Sequence, residues 1–288
     1  MKSRRKVNVM TYLDYDHDEN YNYNLNGKGT VINNIAYSDI SEKNKLDLYL
    51  PTKKSETYPL VIYIHGGGFV KGDKTHHLSG ILHVLERGYA VAAINYRTGE
   101  DAPYPALLED CCDAIRFLKK NSESYKLNPD QFVLWGDTHG GYLASRIAIE
   151  GPKGILDELE SEYPEVDLNV RGVISFYGPM DLYDFHIFKN FEFDLKTFQM
   201  EEPELLEFLR GLNPIKNIDG SECPFYLLHG KLDFFIPHKY TQQFADTLTE
   251  YGVDHVLDFV EDGIHAIDFY VAEKYNEPIM QFIDRVIK

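Results

Sequence analysis

Four short stretches of the chain carry residues that could do chemistry. Gly136-Asp137-Thr138-His139-Gly140 sets a hydroxyl between glycines, after the apolar run Gln131-Phe-Val-Leu-Trp135 and ahead of an amphipathic stretch. The pattern is that of a G-x-S-x-G elbow with threonine at the serine position. In such an elbow a sharp strand-to-helix turn lifts a hydroxyl above a sheet, and glycine on both sides keeps other side chains clear of it. His65-Gly66-Gly67-Gly68-Phe69 follows another apolar run; its glycines let backbone N–H groups turn outward at a strand end, as a developing oxyanion requires. His229-Gly-Lys-Leu-Asp233 sets an aspartate, and Glu261-Asp-Gly-Ile-His265 a histidine, just past later apolar runs.

Taken singly, each stretch has a plainer explanation. A glycine loop also holds phosphates or simply turns, a loop aspartate is commonly a cap or a solvated charge, and a lone histidine is commonly structural. Their joint order is what carries weight: glycine loop, hydroxyl, acid, histidine, each at the C-terminal end of an expected strand, the edge at which open α/β sheets bind ligands. That set suits nucleophilic attack on an acyl carbonyl. Neither G-x-x-x-x-G-K-[ST] nor G-x-G-x-x-G occurs, which removes support for nucleotide chemistry.

The elements expected to position these residues follow from periodicity. Val31 to Tyr37 and Lys45 to Leu50 alternate apolar and polar residues and read as half-exposed antiparallel strands. Pro59 to His65, Tyr89 to Asn95, the elbow strand from Gln131, Arg171 to Tyr177, Pro224 to His229 and Val256 to Glu261 are more continuously apolar. Helical patterns separate them at Thr75 to Arg87, Pro105 to Asn121, after the elbow, and at His238 to Tyr251, with a last one at Ala266 to Ile287. Apolar strands alternating with helices predict a mostly parallel sheet covered on both faces. Between Gly178 and Asp219 the alternation breaks into Phe- and Glu-rich sequence with one short helix near Glu201 to Arg210, a candidate cap over the strand ends. Residues 1–30 form a polar, tyrosine-rich lead without periodicity, and residues 1–288 together read as one large α/β domain.

Composition narrows the partners. A formal charge of −17 repels nucleic-acid phosphate and anionic lipid. Hydrophobic residues make up 43% of the chain, yet no apolar run reaches the roughly 18 residues of a membrane span. The basic start, Met1-Lys-Ser-Arg-Arg-Lys-Val, lacks the apolar segment of a secretory signal, so a cytoplasmic protein is expected. The 3 cysteines, with Cys111 and Cys112 adjacent, have neither disulfide nor zinc spacing and read as incidental thiols of a reduced compartment.

From about residue 31 onward the chain resembles α/β-hydrolases of the esterase/lipase group related to hormone-sensitive lipase. Besides His65-Gly66-Gly67-Gly68-Phe69 it carries Tyr96-Arg97 and Pro103-Tyr104-Pro105-Ala106, similar to that family's Y-R-L-A-P-E-x-P-F-P-A, with Thr98, Gly99 and Glu100 in place of Leu, Ala and Pro. The family's G-D-S-A-G-G becomes Gly136-Asp-Thr-His-Gly-Gly141. The resemblance implies an α/β-hydrolase fold and a carboxylic-ester hydrolase with Thr138 in the nucleophile's place, Asp233 as acid and His265 as base. It also implies the N–H groups of Gly67, Gly68 and His139 as the oxyanion hole. No metal or organic cofactor is expected; the partner is a small-molecule ester, with homo-oligomerisation left open. Phe185, Phe188, Phe191, Phe193 and Phe198 in the candidate cap suggest closure of the pocket to long acyl chains, though aromatic rings also simply pack. A β-branched residue at an elbow is strained. A non-catalytic relative that binds a small ligand or a protein through the same pocket is therefore the second reading.

Overall fold

The computed structural model describes residues 25, 27–189, 197–201, 203–265 and 273–288. Its centre is an eight-stranded sheet in the order β1-β2-β4-β3-β5-β6-β7-β8. The strands are β1 Gly29–Ala36, β2 Lys45–Pro51, β3 Tyr58–Ile64, β4 Ala90–Ile94, β5 Leu127–Asp137, β6 Gly172–Phe176, β7 Phe225–Gly230 and β8 His255–Val260. The two alternating segments, β1 and β2, are the antiparallel ones, and every pair from β4 to β8 is parallel. The α/β-hydrolase fold expected from the sequence is thus the one observed.

The central stretches of the strands from β3 to β7 are mostly apolar because both of their faces are covered. Leu60, Ile62 and Ile64 of β3 share one core with Leu107, Ile115 and Leu118 of helix α1 (Ala106–Lys120) and with Leu143 and Ile147 of α2 (His139–Glu150). The intervening Val61 and Tyr63 share a second core with Val84 and Leu85 and with Ile279 and Phe282 near the C-terminus. The alternation survives, but both phases are apolar.

Two local expectations are corrected. The stretch from Thr75 to Arg87 forms two 3₁₀ segments, Leu78–Gly80 and Leu82–Arg87, rather than one α-helix. His77 stands before it at a left-handed φ of 51°, and the two segments are separated at Ile81, so no continuous α-helix forms. Between β6 and β7 the chain forms α3 (Leu182–Lys189) as well as the expected helix, α4 (Glu204–Gly211). The sequence of α3, Leu-Tyr-Asp-Phe-His-Ile-Phe-Lys, offers no clean polar face to read. It is anchored instead by Phe185, which packs with Ile236 and Tyr240. Of the last expected helical region, Ala266 to Ile287, the described residues form a 3₁₀ turn at Glu273–Tyr275 and α6, Asn276–Val286; residues 266–272 lie outside the described residues. The helix between these, α5, spans Lys239–Glu250. Among the described residues no helix is long and apolar enough to cross a membrane.

The Tyr96-Arg97 segment is locked by charge. The Arg97 guanidinium donates to both oxygens of Asp110 on α1, at 2.7 Å to Oδ1 and 2.9 Å to Oδ2, and the Arg97 backbone N–H adds a 2.7 Å bond to Oδ2. Asp110 is buried, while Arg97 is part-exposed and has a second, more distant partner in Glu109 at 3.6 Å. Asp110→Ala removes the hydrogen bonds this carboxylate accepts from a charged group and is expected to lower the unfolding free energy by about 2 kcal/mol, read from the urea midpoint at constant m-value. A shift no larger than that of an ordinary surface substitution would show that the pair carries no stability.

Candidate active site

The elbow is a backbone device before it is a chemical one. β5 ends at Asp137 and α2 starts at His139, so a single residue, Thr138, makes the reversal at φ 52° and ψ −122°. The flanking glycines are required by space: a Cβ on Gly136 would stand 2.2 Å from the Gly140 carbonyl oxygen, and one on Gly140 would stand 2.1 Å from that of Ile64. The Thr138 N–H is held at 2.9 Å by the Phe176 carbonyl of β6. As the first residue of α2, His139 has an N–H with no acceptor inside the helix, at the positive end of its dipole.

The structure brings Thr138, His265 and Asp233 into line. His265 Nδ1 lies 2.7 Å from Asp233 Oδ2, and His265 Nε2 lies 3.5 Å from Thr138 Oγ1. Burial opposes ionisation of Asp233, but hydrogen bonds from His229 and His265 outweigh it and hold the carboxyl well below the usual range. As a carboxylate it only accepts, so His265 Nδ1 carries the hydrogen, and Nε2 is the ring nitrogen that faces the Thr138 hydroxyl. Asp233 Oδ1 accepts the backbone N–H groups of Phe235 and Ile236, both at 2.8 Å, which fixes the carboxylate on its own turn.

The glycine loop lies across the hydroxyl. A Cβ on Gly66 would stand 2.9 Å from Thr138 Oγ1, and one on Gly67 would meet the Lys71 carbonyl oxygen at 1.7 Å. Gly67 and Gly68 both take positive φ, 123° and 68°, and the Cβ direction of Gly68 opens into free space. Among the described residues neither the Gly67 nor the Gly68 N–H donates a hydrogen bond.

The residue that ties loop to elbow is Asp137, to which the sequence reading assigned no role. Its Oδ1 accepts the Gly66 N–H at 2.8 Å and the Tyr63 hydroxyl at 3.0 Å, and its Oδ2 meets His77 Nδ1 at 3.0 Å. Burial again opposes ionisation, but the His77 hydrogen bond and charge, with the Tyr63 hydroxyl, bring the Asp137 carboxyl below the usual range. From the other side, Tyr96 donates to the His65 carbonyl at 2.5 Å and stacks on the His65 ring at 4.3 Å. The acidic residue within Gly-Asp-Thr was the available signal.

An aromatic wall stands beside the elbow. The His139 ring lies 3.9 Å from Phe69 and 6.3 Å from Phe185, centroid to centroid, and Phe198 stands 6.3 Å from Phe69. Burial, with the charge of His265, pushes the His139 imidazole down to about 3, so it is neutral at any working pH. The Phe188 side chain and all of Phe191 and Phe193 lie outside the described residues. The thiols sit apart from the site: Cys111 and Cys112 are buried under the sheet, and burial pushes the Cys112 thiol up to about 12. Among the described residues no group of three or more His, Cys, Asp or Glu could hold a metal ion.

With this geometry in hand, comparison with known proteins is informative. The BD-FAE family model matches residues 46–248. The chain is 26% identical over 236 residues, 78% of its length, to the protein named probable carboxylic ester hydrolase LipM of Mycobacterium tuberculosis, and covers 53% of it. It superposes with a TM-score of 0.80 at 21% identity on a truncated form of a carbohydrate esterase from gut microbiota, over 90% of this chain and 97% of that one. With a bifunctional GH43-CE protein of Bacteroides eggerthii the TM-score is 0.81 at 26% identity, over 90% of this chain and 38% of that one. The chain spans about half the length of the curated relatives it matches.

The backbone at position 138 yields a stability prediction. A non-glycine residue in so sparsely populated a conformation costs about 1–3 kcal/mol, and β-branching adds to the cost. Thr138→Gly is expected to stabilise the fold by about 1 kcal/mol after the lost side-chain contacts are counted. Equal or lower stability on chemical denaturation would mean that the elbow is not strained.

Proposed function

The chain belongs to the BD-FAE family, and from that premise we propose that it hydrolyses small carboxylic esters with short acyl groups. The observation that carries this reading is the alignment of Thr138 Oγ1, the His265 ring and Asp233 Oδ2 at 3.5 and 2.7 Å, beside a glycine loop whose Gly67 and Gly68 N–H groups donate no hydrogen bond among the described residues. In the proposed reaction Thr138 Oγ attacks the ester carbonyl carbon while His265 Nε2 takes its proton. Asp233 stabilises the imidazolium that forms. The carbonyl oxygen becomes an oxyanion held by the N–H groups of Gly67, Gly68 and His139. Collapse breaks the C–O bond to the alcohol, which leaves with the proton from His265. Water, deprotonated by the same nitrogen, then releases the acid and restores Thr138.

Nothing in this sequence of steps calls on a metal or organic cofactor. Residues 178–219, which carry α3 and α4, act as the cap, and Phe69, Phe185 and Phe198 bound the acyl side. Acetylated sugars are a natural substrate class to test, supported by the carbohydrate-esterase name of one structural neighbour. The second reading, a non-catalytic binding protein, draws on two observations: the hydroxyl's carrier is β-branched, and its oxygen stands at the outer limit of hydrogen-bonding distance from His265.

Two assays separate and refine these readings. Thr138→Ser should raise hydrolysis of p-nitrophenyl acetate roughly ten- to a thousandfold, because loss of the methyl frees the rotamer that directs Oγ at His265. Thr138→Ala should show none above background. Should the serine variant stay at background while the pocket still binds ligand, the non-catalytic reading replaces the esterase. In the active variant, acetyl to butyryl esters should be preferred; a rate that climbs steadily to decanoyl would rule out the short-acyl pocket.

A further inference from the structure

The motif His229-Gly-Lys-Leu-Asp233 contains a second histidine that the proposed mechanism does not use. We propose that His229 is a positioning residue for Asp233: a neutral imidazole, set as its Nε2–H tautomer by the Ile236 carbonyl and held there by the Thr241 hydroxyl, that keeps the carboxylate turn in the orientation His265 requires. The proposal rests on the reading of Asp233 and His265 as acid and base.

The hydrogen bonds determine the tautomer. His229 is fully buried at the end of β7, and its Nε2 lies 2.9 Å from the Ile236 carbonyl oxygen. A carbonyl can only accept, so Nε2 carries the hydrogen. Nδ1 then has a free lone pair, and the Thr241 hydroxyl, 2.6 Å away in the first turn of α5, donates to it. The Nε2–H also lies 3.2 Å from Asp233 Oδ2, the same oxygen that receives His265 Nδ1–H at 2.7 Å. Ile236 is consequently held at both ends, its N–H by Asp233 Oδ1 and its carbonyl by His229. Asp233 is fixed through its own oxygen and through the turn it caps.

A neutral donor suits this position better than a charged one. A cation beside Oδ2 would compete with the imidazolium that forms on His265, whereas an N–H dipole orients the oxygen without cancelling its charge. Burial pushes the His229 imidazole down from its ordinary value, against the hydrogen bond and charge of Asp233, and so keeps it neutral. The titratable groups facing His229 among the described residues are Asp233 from the loop after β7, His265 from the turn after β8, and Tyr177 from the end of β6, whose ring lies 6.1 Å away.

The test has one arm that needs turnover and one that does not. In the Thr138→Ser background, His229→Phe should cut kcat by roughly ten- to a hundredfold, as for one hydrogen bond to a charged group. KM should stay within about twofold and the acidic limb of the rate profile should move to higher pH, because the remaining donor faces a less satisfied carboxylate. Thr241→Val should change the same quantities in the same direction by a smaller factor, and it carries the test if His229→Phe does not fold. An unchanged kcat, or a loss that is uniform in pH, would overturn the proposal. In the unsubstituted protein, nitrogen-15 spectra of the imidazoles should show His229 protonated at Nε2 and not titrating over about pH 5 to 8. The downfield Nδ1–H resonance of His265 should shift in His229→Phe or Thr241→Val. An Nδ1–H tautomer of His229, its titration in that range, or an unmoved His265 resonance would defeat the inference even if no ester is hydrolysed, whereas absence of hydrolysis alone counts only against the esterase reading.

Discussion

The reversal at Thr138 is the constraint on which the rest of the site depends. A strand must become a helix within one residue, and the only space for that is made by Gly136 and Gly140, whose missing side chains let the backbones of β5, α2 and β3 approach closely. The strain this stores is opposed by bonds on either side: the Thr138 N–H on Phe176, and the Asp137 carboxylate on Gly66 and Tyr63. A hydroxyl carried at such a turn points away from the sheet and loses little freedom when a substrate arrives, which is the kind of preorganisation that lowers a barrier.

Much of this was legible before any coordinates. The apolar runs that became β3 to β7 are long enough, and flanked clearly enough, to read as buried parallel strands. The candidate residues were found because each stands just past an expected strand, β3, β5, β7 or β8, and Thr138, Asp233 and His265 do meet in space. What escaped is what depends on partners distant in sequence. Asp137 looked like one letter of a motif until Gly66, 71 positions away, was seen donating to it. Helix α3 escaped because its stability comes from Phe185 packing on Ile236 and Tyr240, and periodicity does not record tertiary contacts. The 3₁₀ segments between β3 and β4 escaped because the apolar spacing fits a helix, while the chain reverses through a left-handed His77 and breaks again at Ile81.

An acid-rich chain with a net charge of −17 faces a particular difficulty in stabilising an oxyanion. Asp137 and Asp233 flank the proposed nucleophile, and an undressed carboxylate there would oppose the negative charge developing on the substrate. Both are dressed. Asp137 has donors on each oxygen, with a backbone amide, a phenol and His77 around it. Asp233 spends Oδ1 on two backbone amides and shares Oδ2 between His265 and His229. Each carboxylate therefore acts mainly through the groups it orients: Asp137 through the loop that presents the Gly67 and Gly68 amides, and Asp233 through the ring that faces Thr138.

This division also explains why threonine can stand at the elbow without the site coming apart. The loop is clamped through Asp137 and the base is fixed through Asp233, so neither relies on the side chain at 138 for its place. The extra methyl costs backbone strain and rotamer freedom at that residue alone. In the proposed reaction, a change confined to one side chain, with the glycine loop and the His265 ring fixed independently of it, would alter the rate of the attack step and leave the remaining geometry standing. That independence is what makes position 138 the point at which catalysis and mere binding by this fold part company.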